Sequence, residues 1–400
     1  MKVLALTTIY PPHVGGAPSL IERWVTSLDA TGHDVDVVTF GADGTNPEMN
    51  ERQVAYDDRS TLTIHRLASD DMNSRSILRL FALALKTSAQ AWMGGRRYDA
   101  VFSAVAYPCA PMARGISLIF RCPYVVYAHG EDVSVVERGS PRLAAMKSQL
   151  LRSSLRRARK VFANSHATID RLNAIGYVSA VEVLPPSFDP APFTDAPTAD
   201  VNALRTSLHL EKRRILLTIA RLTSPRKGHD VVIRALALLI DEFPDLHYAI
   251  IGTGDQTTLR KLAQDHGVAD HVTIIDFVAD DEVPLYMNAA DLYVMPSRWD
   301  PIVREGEGFG IVYLEAAAAG KPSIAARTGG SSEAVIDRVT GLTVDPESPA
   351  EVSEAIRLLL TDSELARRLG EQGRERAIAE YSSARVLPRL AAAVAGVASR

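Results

Sequence analysis

The stretch Glu307-Gly-Phe-Gly-Ile-Val-Tyr-Leu-Glu315, followed by four alanines and by Gly320-Lys321-Pro322, combines a glycine loop with a predicted helix. Gly308 and Gly310 lack a Cβ atom, so a ligand can come close to the backbone there. The amides of a first helical turn have no intrahelical acceptor and attract anions and polar oxygens. Residues 314–319 favour a helix, and Gly320 with Pro322 favours its end. The stretch therefore predicts a ligand site at the start of a short helix.

Glu307 and Glu315 place two carboxylates eight residues apart, one in the loop and one among the apolar residues of the predicted helix. A carboxylate in apolar surroundings is costly unless it is hydrogen-bonded, and a sugar diol would be a suitable partner. In a fully helical segment the two carboxylates would lie about 12 Å apart, roughly the length of a nucleotide-sugar. The alternative is an ordinary capped core helix with one solvated glutamate.

Length and composition narrow the class of protein. The chain has 400 residues, of which 46% are hydrophobic and 23% charged, and its net charge is -4. This is enough for two globular domains, and the charge gives no sign of a nucleic-acid partner. Two cysteines, Cys109 and Cys122, are too few for a disulfide framework or a metal cluster, which favours a reducing cytoplasm. The apolar start is too short for a signal peptide, and a transmembrane run is lacking.

Short apolar runs of strand length alternate with helical patterns along the first half of the chain. The candidate strands are residues 3–8, 35–40, 61–67, 100–104, 124–127, 161–163 and 181–184. This alternation predicts a doubly wound α/β domain with a parallel sheet. A proline-rich stretch from Pro185 to Pro197 then interrupts the pattern and is the predicted linker. A second series of strands begins at residues 215–220, so we expect two domains, residues 1–187 and residues 188–381.

Polar loops with glycines follow two candidate strands of the first half. Gly15-Gly16 comes after residues 3–8, and Ala128-His129-Gly130-Glu131-Asp132 comes after residues 124–127. Open α/β sheets bind ligands at the carboxyl ends of their strands, so both loops are candidate contacts for a phosphate, a sugar or an acceptor. The residues alone leave a plain turn and a structural histidine open as alternatives.

Cations follow the first strand of the second half. Arg221 and Lys227 both lie in the loop after residues 215–220. Two cations that converge with a helix start can hold a diphosphate leaving group. Arg226 lies in the same loop, so the residues alone leave open which cation acts together with Arg221. The alternative is a basic surface loop.

In their order along the chain, these motifs resemble the retaining GT-B glycosyltransferases of family 4, also called glycosyl transferases group 1. The resemblance runs from Pro11-Pro12 to Gly341 and is closest to the phosphatidylinositol mannosyltransferase branch. It implies two Rossmann-like doubly wound domains that face each other across a cleft. The N-terminal domain would bind the acceptor and the C-terminal domain the nucleotide-sugar. The last helix, in residues 382–400, would cross back onto the N-terminal domain.

The resemblance also implies residue roles. Four residues would be catalytic: His129, Arg221, Lys227 and Glu307. His129 and Glu307 would contact the donor sugar, and the two cations would stabilise the leaving diphosphate. The implied donor-binding residues are Gly16, Gly252, Gly254, Val278, Gly308, Phe309, Gly310, Ile311 and Glu315, of which Glu315 would bind the ribose. Neither a metal ion nor a cofactor is expected, because an Asp-x-Asp motif is lacking at a suitable strand end and the cations would take the place of a metal.

Substrate identity stays open at this stage. The branch that the chain resembles favours GDP-mannose, while UDP-glucose and UDP-N-acetylglucosamine are alternatives. The acceptor is expected to be a sugar, a metabolite or a lipid-linked sugar. A non-catalytic sugar-nucleotide-binding protein of this fold would lose catalytic residues that are present here. A sugar-nucleotide epimerase would act on the free nucleotide-sugar without an acceptor.

Two segments of the first half contain cations and no acids. Residues 72–98 include Arg75, Arg79 and Lys86, and residues 138–160 include Arg142 and Lys147. Basic amphipathic helices of this kind can lie on an anionic membrane. They can equally be scaffold helices with a solvated basic face. The predicted location is therefore the cytoplasm, with peripheral contact to the inner face of the membrane as an option.

Overall fold

The computed structural model describes residues 1–13, 15–42, 44–69, 73–222, 225–301 and 304–398. The chain forms two compact units. The first consists of Met1–Pro186 together with Ser383–Arg400, and the second consists of Ser187–Ser382. From the sequence we expect boundaries after residue 187 and after residue 381.

Seven parallel strands form the sheet of the first unit: β1 (Lys2–Leu6), β2 (Asp34–Gly41), β3 (Thr63–Ala68), β4 (Ala100–Ser103), β5 (Tyr124–Ala128), β6 (Lys160–Ala163) and β7 (Glu182–Val183). Their order across the sheet is β3-β2-β1-β4-β5-β6-β7. Each neighbouring pair is parallel. The central strands are buried on both faces, which explains their runs of Val, Leu, Ala and Phe. The order reverses between β1 and β4, so the loops after these strands flank a crevice that suits a ligand.

Helices connect these strands: α1 (Gly16–Ala30), α2 (Pro47–Arg59), α3 (Ser74–Met93), α4 (Cys109–Phe120), α5 (Glu131–Ser134), α6 (Pro141–Leu155) and α7 (His166–Ala174). Asn73, Ser140 and Ser165 cap α3, α6 and α7 by accepting a hydrogen bond from a backbone N–H of the first turn. α4 contacts both α3 and α6, so these three helices lie side by side.

The second unit has six parallel strands: β8 (Arg214–Ile219), β9 (Leu246–Ile251), β10 (Val272–Ile275), β11 (Leu292–Met295), β12 (Ser323–Ala326) and β13 (Gly341–Val344). Their order is β10-β9-β8-β11-β12-β13. The helices of this unit are α8 (Ala191–Thr194), α9 (Thr198–Ser207), α10 (His229–Ala237), α11 (Thr257–Asp265), α12 (Val283–Ala289), α13 (Ile311–Ala318), α14 (Ser331–Ala334), α15 (Pro349–Thr361) and α16 (Ser363–Tyr381). The strand order reverses between β8 and β11. A ligand is expected at the carboxyl ends of these two strands, and we call this side of the sheet the ligand edge.

The last helix, α17 (Ser383–Ala398), belongs to the first unit. It contacts α1, β4 and β5. Arg389 donates a hydrogen bond to the carbonyl oxygen of Val183 at 3.1 Å, which fixes α17 to the edge strand β7. Short 3-10 turns lie at Val135–Glu137, Pro225–Lys227 and Ala269–His271.

Candidate functional site

The glycine loop and α13 form the centre of the second unit's ligand edge. α13 begins at Ile311, directly after Gly310, whose φ of 91° lies in the left-handed region. A Cβ atom at Gly310 would lie 2.6 Å from the ring of Tyr313. Both the positive φ and this short distance therefore exclude a side chain at position 310. The helix starts without a side-chain cap, because its N-cap residue is a glycine. Its first amides can therefore bind an anion.

A second pair of glycines packs against this loop. Gly330 donates its N–H to the carbonyl oxygen of Glu307 at 3.1 Å. A Cβ atom at Gly330 would lie 2.0 Å from the carbonyl oxygen of Gly308, and one at Gly329 would lie 3.3 Å from that of Glu307. The loop thus owes its position to a backbone contact that leaves no room for side chains.

An ion pair joins the two main predicted catalytic residues of this unit. Lys227 Nζ lies 2.5 Å from Glu307 Oε2, and the side chains are only 14% and 12% exposed. Ser297 donates its hydroxyl to the same carboxylate oxygen at 3.3 Å. Burial alone would raise the pKa of Glu307, but Lys227 and Arg226 outweigh it, so the pKa lies below its ordinary value. The structure therefore brings a charged carboxylate and a cation together at the ligand edge.

The neighbouring arginine has a different function in the structure. Arg226 is 3% exposed, and its guanidinium donates to the carbonyl oxygen of Gly306 at 3.1 Å and lies 3.8 Å from Glu305. The carbonyl oxygen of Arg226 accepts the N–H of Arg298 at 2.7 Å. Arg226 thus ties the loop after β8 to the residues just before Glu307. Thr223 and Ser224 of this loop lie outside the described residues.

Arg221 follows β8 directly, and its side chain is exposed. Glu307 forms its described ion pair with Lys227, and Arg226 lies beside this pair. Among the described contacts, the cation at Glu307 is Lys227, and the Arg221 side chain lies exposed. Of the two neighbouring cations, Lys227 is bonded to Glu307, whereas Arg226 is buried behind it; the assignment of the diphosphate to Lys227 stays a prediction.

Two predicted donor-binding residues lie with their side chains in the core. Val278 is buried between β10 and α12, and Phe309 is buried against Tyr381, with the ring centroids 5.4 Å apart. Their apolar side chains gain more from burial than from exposure at a polar site. Only their backbone groups are suited to a donor.

Gly252 and Gly254 lie in the loop after β9. A Cβ atom at Gly252 would lie 1.9 Å from the carbonyl oxygen of Ala220, so the ends of β8 and β9 approach each other through this glycine. Gly254 has a φ of 136° and is exposed. Both are placed at the ligand edge, next to the loop that carries Arg221.

The expectation that Glu315 is buried among apolar residues is wrong, because its side chain is only half-buried. Residues four apart share a helix face, and Ile311, Glu315 and Ala319 form the half-buried side of this helix. Tyr313 and Leu314 supply the side that packs into the core. The carboxylate of Glu315 thus lies on a half-exposed side of the helix, where a ligand can reach it.

In the first unit, His129 directly follows β5, and its ring is fixed on two sides. The ring stacks on Trp24 of α1, with centroids 5.8 Å apart, and contacts the ring of Tyr127 at 4.9 Å. Its Nε2 lies 2.9 Å from the carbonyl oxygen of Ala104. A carbonyl oxygen can only accept a hydrogen bond, so Nε2 carries the proton and Nδ1 is the basic nitrogen of the neutral ring.

Asp132 holds the backbone of this loop. Its carboxylate accepts the N–H groups of His129, Gly130 and Ala106 at 2.8, 2.9 and 2.6 Å. Asn164 binds the carbonyl oxygen of His129 at 2.9 Å. Burial raises the pKa of Asp132, although His129 and the three amides act in the opposite direction. Asp132 therefore positions His129 and leaves the histidine ring to face a ligand.

Gly16 is the first residue of α1, and the preceding Gly15 has a φ of 136°. The loop before them is held by Arg66, which donates to the carbonyl oxygen of Pro11 at 2.6 Å. The same guanidinium forms hydrogen bonds to both carboxylate oxygens of Asp57. Arg66 carries no local signal in the sequence, because it lies within strand β3 rather than in a glycine loop.

Two family models match the chain. The model described as Glycosyltransferase Family 4 matches residues 14–191, and the model described as Glycosyl transferases group 1 matches residues 201–376. The GDP-mannose-dependent alpha-(1-6)-phosphatidylinositol monomannoside mannosyltransferase of Mycobacterium tuberculosis is 32% identical over 381 residues, which cover 95% of this chain and 94% of that protein. The chain belongs to the glycosyltransferases of family 4.

Further comparisons agree with this assignment. The mannosyltransferase of the same name from Mycolicibacterium smegmatis is 31% identical to this family 4 glycosyltransferase over 383 residues, covering 94% of each chain. Among solved structures, Anabaena HepE in complex with UDP matches with a TM-score of 0.80 and 22% identity, covering 99% of this chain and 100% of that chain. The predicted GT-B fold and the predicted family are confirmed.

The family 4 glycosyltransferase is thus an enzyme that transfers a sugar from a nucleotide-sugar, as the sequence predicts. The alternatives of an epimerase and a non-catalytic binding protein are set aside by these matches. Within the described ranges, His, Cys, Asp and Glu side chains do not gather in threes where a metal ion could bind. The described helices also include none with the length and apolar character that crossing a bilayer requires.

Proposed function

We propose that this glycosyltransferase moves mannose from GDP-mannose to a hydroxyl group of a lipid-linked phosphoinositol mannoside. One observation carries the choice of substrates. The relatives that align with 94% or more of this chain are named for that donor and that class of acceptor, and the alignment spans both units.

The ion pair of the second unit suits such a donor. A diphosphate would draw the Lys227 ammonium group away from Glu307, and hydroxyls of the sugar would then donate to the freed carboxylate. The pKa of Glu307 is lowered, so the carboxylate is charged and ready to accept these hydrogen bonds. The amides at the start of α13 would bind diphosphate oxygens. Glu315, half-exposed on the same helix, would bind the ribose hydroxyls.

These contacts support the following transfer step. The bond between C1 of mannose and the diphosphate oxygen breaks, and its electron pair leaves with GDP. Lys227 and Arg221 stabilise the negative charge that develops there, which requires Arg221 to turn inward from its exposed position. The acceptor oxygen bonds to C1 on the same face, and its proton passes to the departing diphosphate. The product keeps the α configuration of the donor, in accord with the alpha-(1-6) linkage in the relatives' names.

His129 would contact the donor sugar at the reacting end. Its ring is held by Trp24, Tyr127 and the Ala104 carbonyl oxygen, so one orientation is set before substrate binds. Such preorganisation stabilises a transition state without a reorganisation cost during the reaction.

We include in this proposal a peripheral contact between the first unit and an anionic membrane. α3, α4 and α6 lie side by side and contain no acidic residue. Their exposed large apolar side chains are Leu78, Trp92, Met93, Leu118, Ile119, Leu143, Met146 and Leu150. Exposed cations accompany them: Arg75, Arg79, Lys86 and Arg142. Each cation near an anionic leaflet contributes about 1 kcal/mol of attraction that salt weakens.

Nucleotide release tests the substrates. The protein is incubated with GDP-mannose, UDP-glucose or UDP-N-acetylglucosamine, each with and without a phosphatidylinositol mannoside acceptor. We expect GDP release only from GDP-mannose with the lipid acceptor, and we expect the same rate in EDTA. Release of UDP with a soluble sugar acceptor would overturn both substrate assignments. Loss of activity in EDTA that Mg2+ restores would overturn the metal-free mechanism.

Vesicle co-sedimentation tests the membrane contact. The wild type is expected to bind vesicles that contain phosphatidylinositol at low salt and to dissociate at high salt. Changing Arg75, Arg79 and Arg142 together to glutamate should abolish this binding. Arg260→Glu, at an exposed position of α11 in the second unit, is the control and should bind as the wild type does. Failure of the wild type to bind at low salt would contradict the membrane contact and leave the transfer reaction unaffected.

A further inference from the structure

Arg376, near the end of α16, contacts several groups that no sequence motif singles out. Its guanidinium donates to the carbonyl oxygens of Glu333 and Ala334, at 3.1 and 3.0 Å, and to the Tyr381 hydroxyl. It lies over the Tyr381 ring, 5.0 Å from the centroid, and its Nε lies 3.1 Å from Glu380. Only 18% of the side chain is exposed. The guanidinium is therefore held in one place.

The two carbonyl groups belong to the end of α14, which has four residues. The last carbonyl groups of a helix have no intrahelical donor, so a helix this short depends on donors from elsewhere. The planar guanidinium supplies two of them in a rigid fork. Arg376 thus fixes both the position and the orientation of α14 against α16.

α14 in turn fixes the loop that carries Glu307. Gly330 directly precedes α14, and its N–H is bonded to the Glu307 carbonyl oxygen at 3.1 Å. The backbone at Gly330 is so close to Gly308 that a Cβ atom would lie 2.0 Å from its carbonyl oxygen. A shift of α14 must therefore displace the backbone of Glu307 and Gly308.

The end of α16 supports the same loop from another side. Tyr381, which Arg376 contacts, packs on the ring of Phe309 in the glycine loop. The Tyr381 carbonyl oxygen accepts the N–H of Phe188 at 3.2 Å, which fixes the tyrosine to the start of this unit. Arg376 is thus bonded to both elements that hold residues 307–309.

We propose that Arg376 is a positioning residue for Glu307: through α14 and Tyr381 it sets the place of the glycine loop and so the alignment of the donor sugar. This inference rests on the proposed function in one respect, namely that Glu307 binds the donor sugar. It predicts that loss of the fork loosens one loop rather than the whole unit.

The test compares Arg376→Met, Arg376→Lys and the control Arg374→Met. Arg374 lies on the same helix of the same unit and donates to a backbone carbonyl group, that of Thr194 at 3.3 Å. Hydrogen exchange of the ligand-free proteins is followed in peptides that cover residues 305–313 and 328–336. Kinetics with the donor that the wild type uses then separate kcat from KM.

For Arg376→Met we expect exchange in these two segments to rise at least about fivefold, with the rest of the unit as in the wild type. We expect kcat/KM to fall at least about tenfold, mostly in kcat, because a displaced Glu307 loses contacts that matter in the transition state. Arg376→Lys, with one donor group in place of the fork, should lie between, and Arg374→Met should match the wild type.

Exchange in the two segments that stays at the wild-type rate would overturn the proposal, and so would a rise spread evenly over the unit. If Arg376→Met does not fold, Arg376→Lys carries the same comparison. The exchange measurement uses no ligand, so it stands even if the donor is not GDP-mannose.

Discussion

Replacing Lys227 by methionine leaves Glu307 charged and without its ion-pair partner. The two side chains are 2.5 Å apart and 14% and 12% exposed, so water replaces little of the lost interaction. Removing one partner of a buried ion pair typically costs about 3–5 kcal/mol in the free energy of unfolding. Ser297 and Arg226 remain beside Glu307, which places the expected loss near the lower value, about 3 kcal/mol. In a domain of about 150–250 residues this lowers Tm by about 6–12 °C.

Adding Glu307→Gln to Lys227→Met removes the unpaired charge. We expect the double variant to regain about 2 kcal/mol of the lost stability, because an amide costs less than a carboxylate in this position. Activity should behave differently. Turnover should fall by at least about a hundredfold in Lys227→Met and should not recover in the double variant, since the diphosphate has lost its cation.

Urea unfolding of the four proteins of this cycle, without ligand at pH 7, measures the coupling. Nucleotide release with donor and acceptor measures turnover. Unfolding of Lys227→Met at the wild-type midpoint would refute the reasoning, and so would a double variant no more stable than Lys227→Met. The pH gives an internal check. The folded-state pKa of Glu307 is lowered, so the pair contributes above the unfolded-state pKa, and its contribution disappears as the pH falls through the folded-state pKa.

Three further predictions concern single residues. Arg221→Ala should lower turnover at least about a hundredfold with an unchanged fold, and full activity would remove this residue from the diphosphate contact. Glu315→Gln should weaken the binding of GDP and of the intact donor alike, whereas Glu307→Gln should weaken only the binding of the donor. Calorimetry measures both affinities. Equal losses for both ligands in the two variants would contradict these separate roles of the two glutamates. Burial lowers the pKa of His229 and His247 to about 4, so stability should fall from about pH 6.5 toward pH 4, by up to about 3 kcal/mol for each histidine. His229→Gln with His247→Gln should flatten that profile in urea unfolding, and an unchanged profile would contradict it.

The sheets could be predicted from the sequence because parallel strands are buried on both faces and so show continuous apolar runs. The ranges predicted for β4 and β5, residues 100–104 and 124–127, each differ by one residue from the observed Ala100–Ser103 and Tyr124–Ala128. The edge strand β7 is shorter than predicted, with only Glu182–Val183 paired. Its two residues are half-buried, so hydrophobicity gives a weaker signal at that edge.

Contacts between distant residues could not be predicted in this way. The Lys227–Glu307 pair joins residues 80 positions apart, and Arg376 reaches Glu333 over 43 positions. The pattern placed both members of the first pair in ligand loops, because glycines and strand ends mark such loops locally. It gave no sign of Arg376, since an arginine on an amphipathic helix is ordinary. Gly330 shows the same limit, because only the fold brings it against Gly308.

The ion pair also has a consequence for product release under the proposed function. The diphosphate of free GDP would draw Lys227 away from Glu307. GDP has no sugar hydroxyls that could donate to the Glu307 carboxylate. The carboxylate would therefore stay buried with a weaker set of partners. The intact donor satisfies both groups at once. The Lys227–Glu307 pair therefore weakens the binding of GDP relative to that of GDP-mannose. The pair forms again as GDP leaves. The Lys227–Glu307 pair thus favours the substrate over the product without any residue that distinguishes their nucleotides.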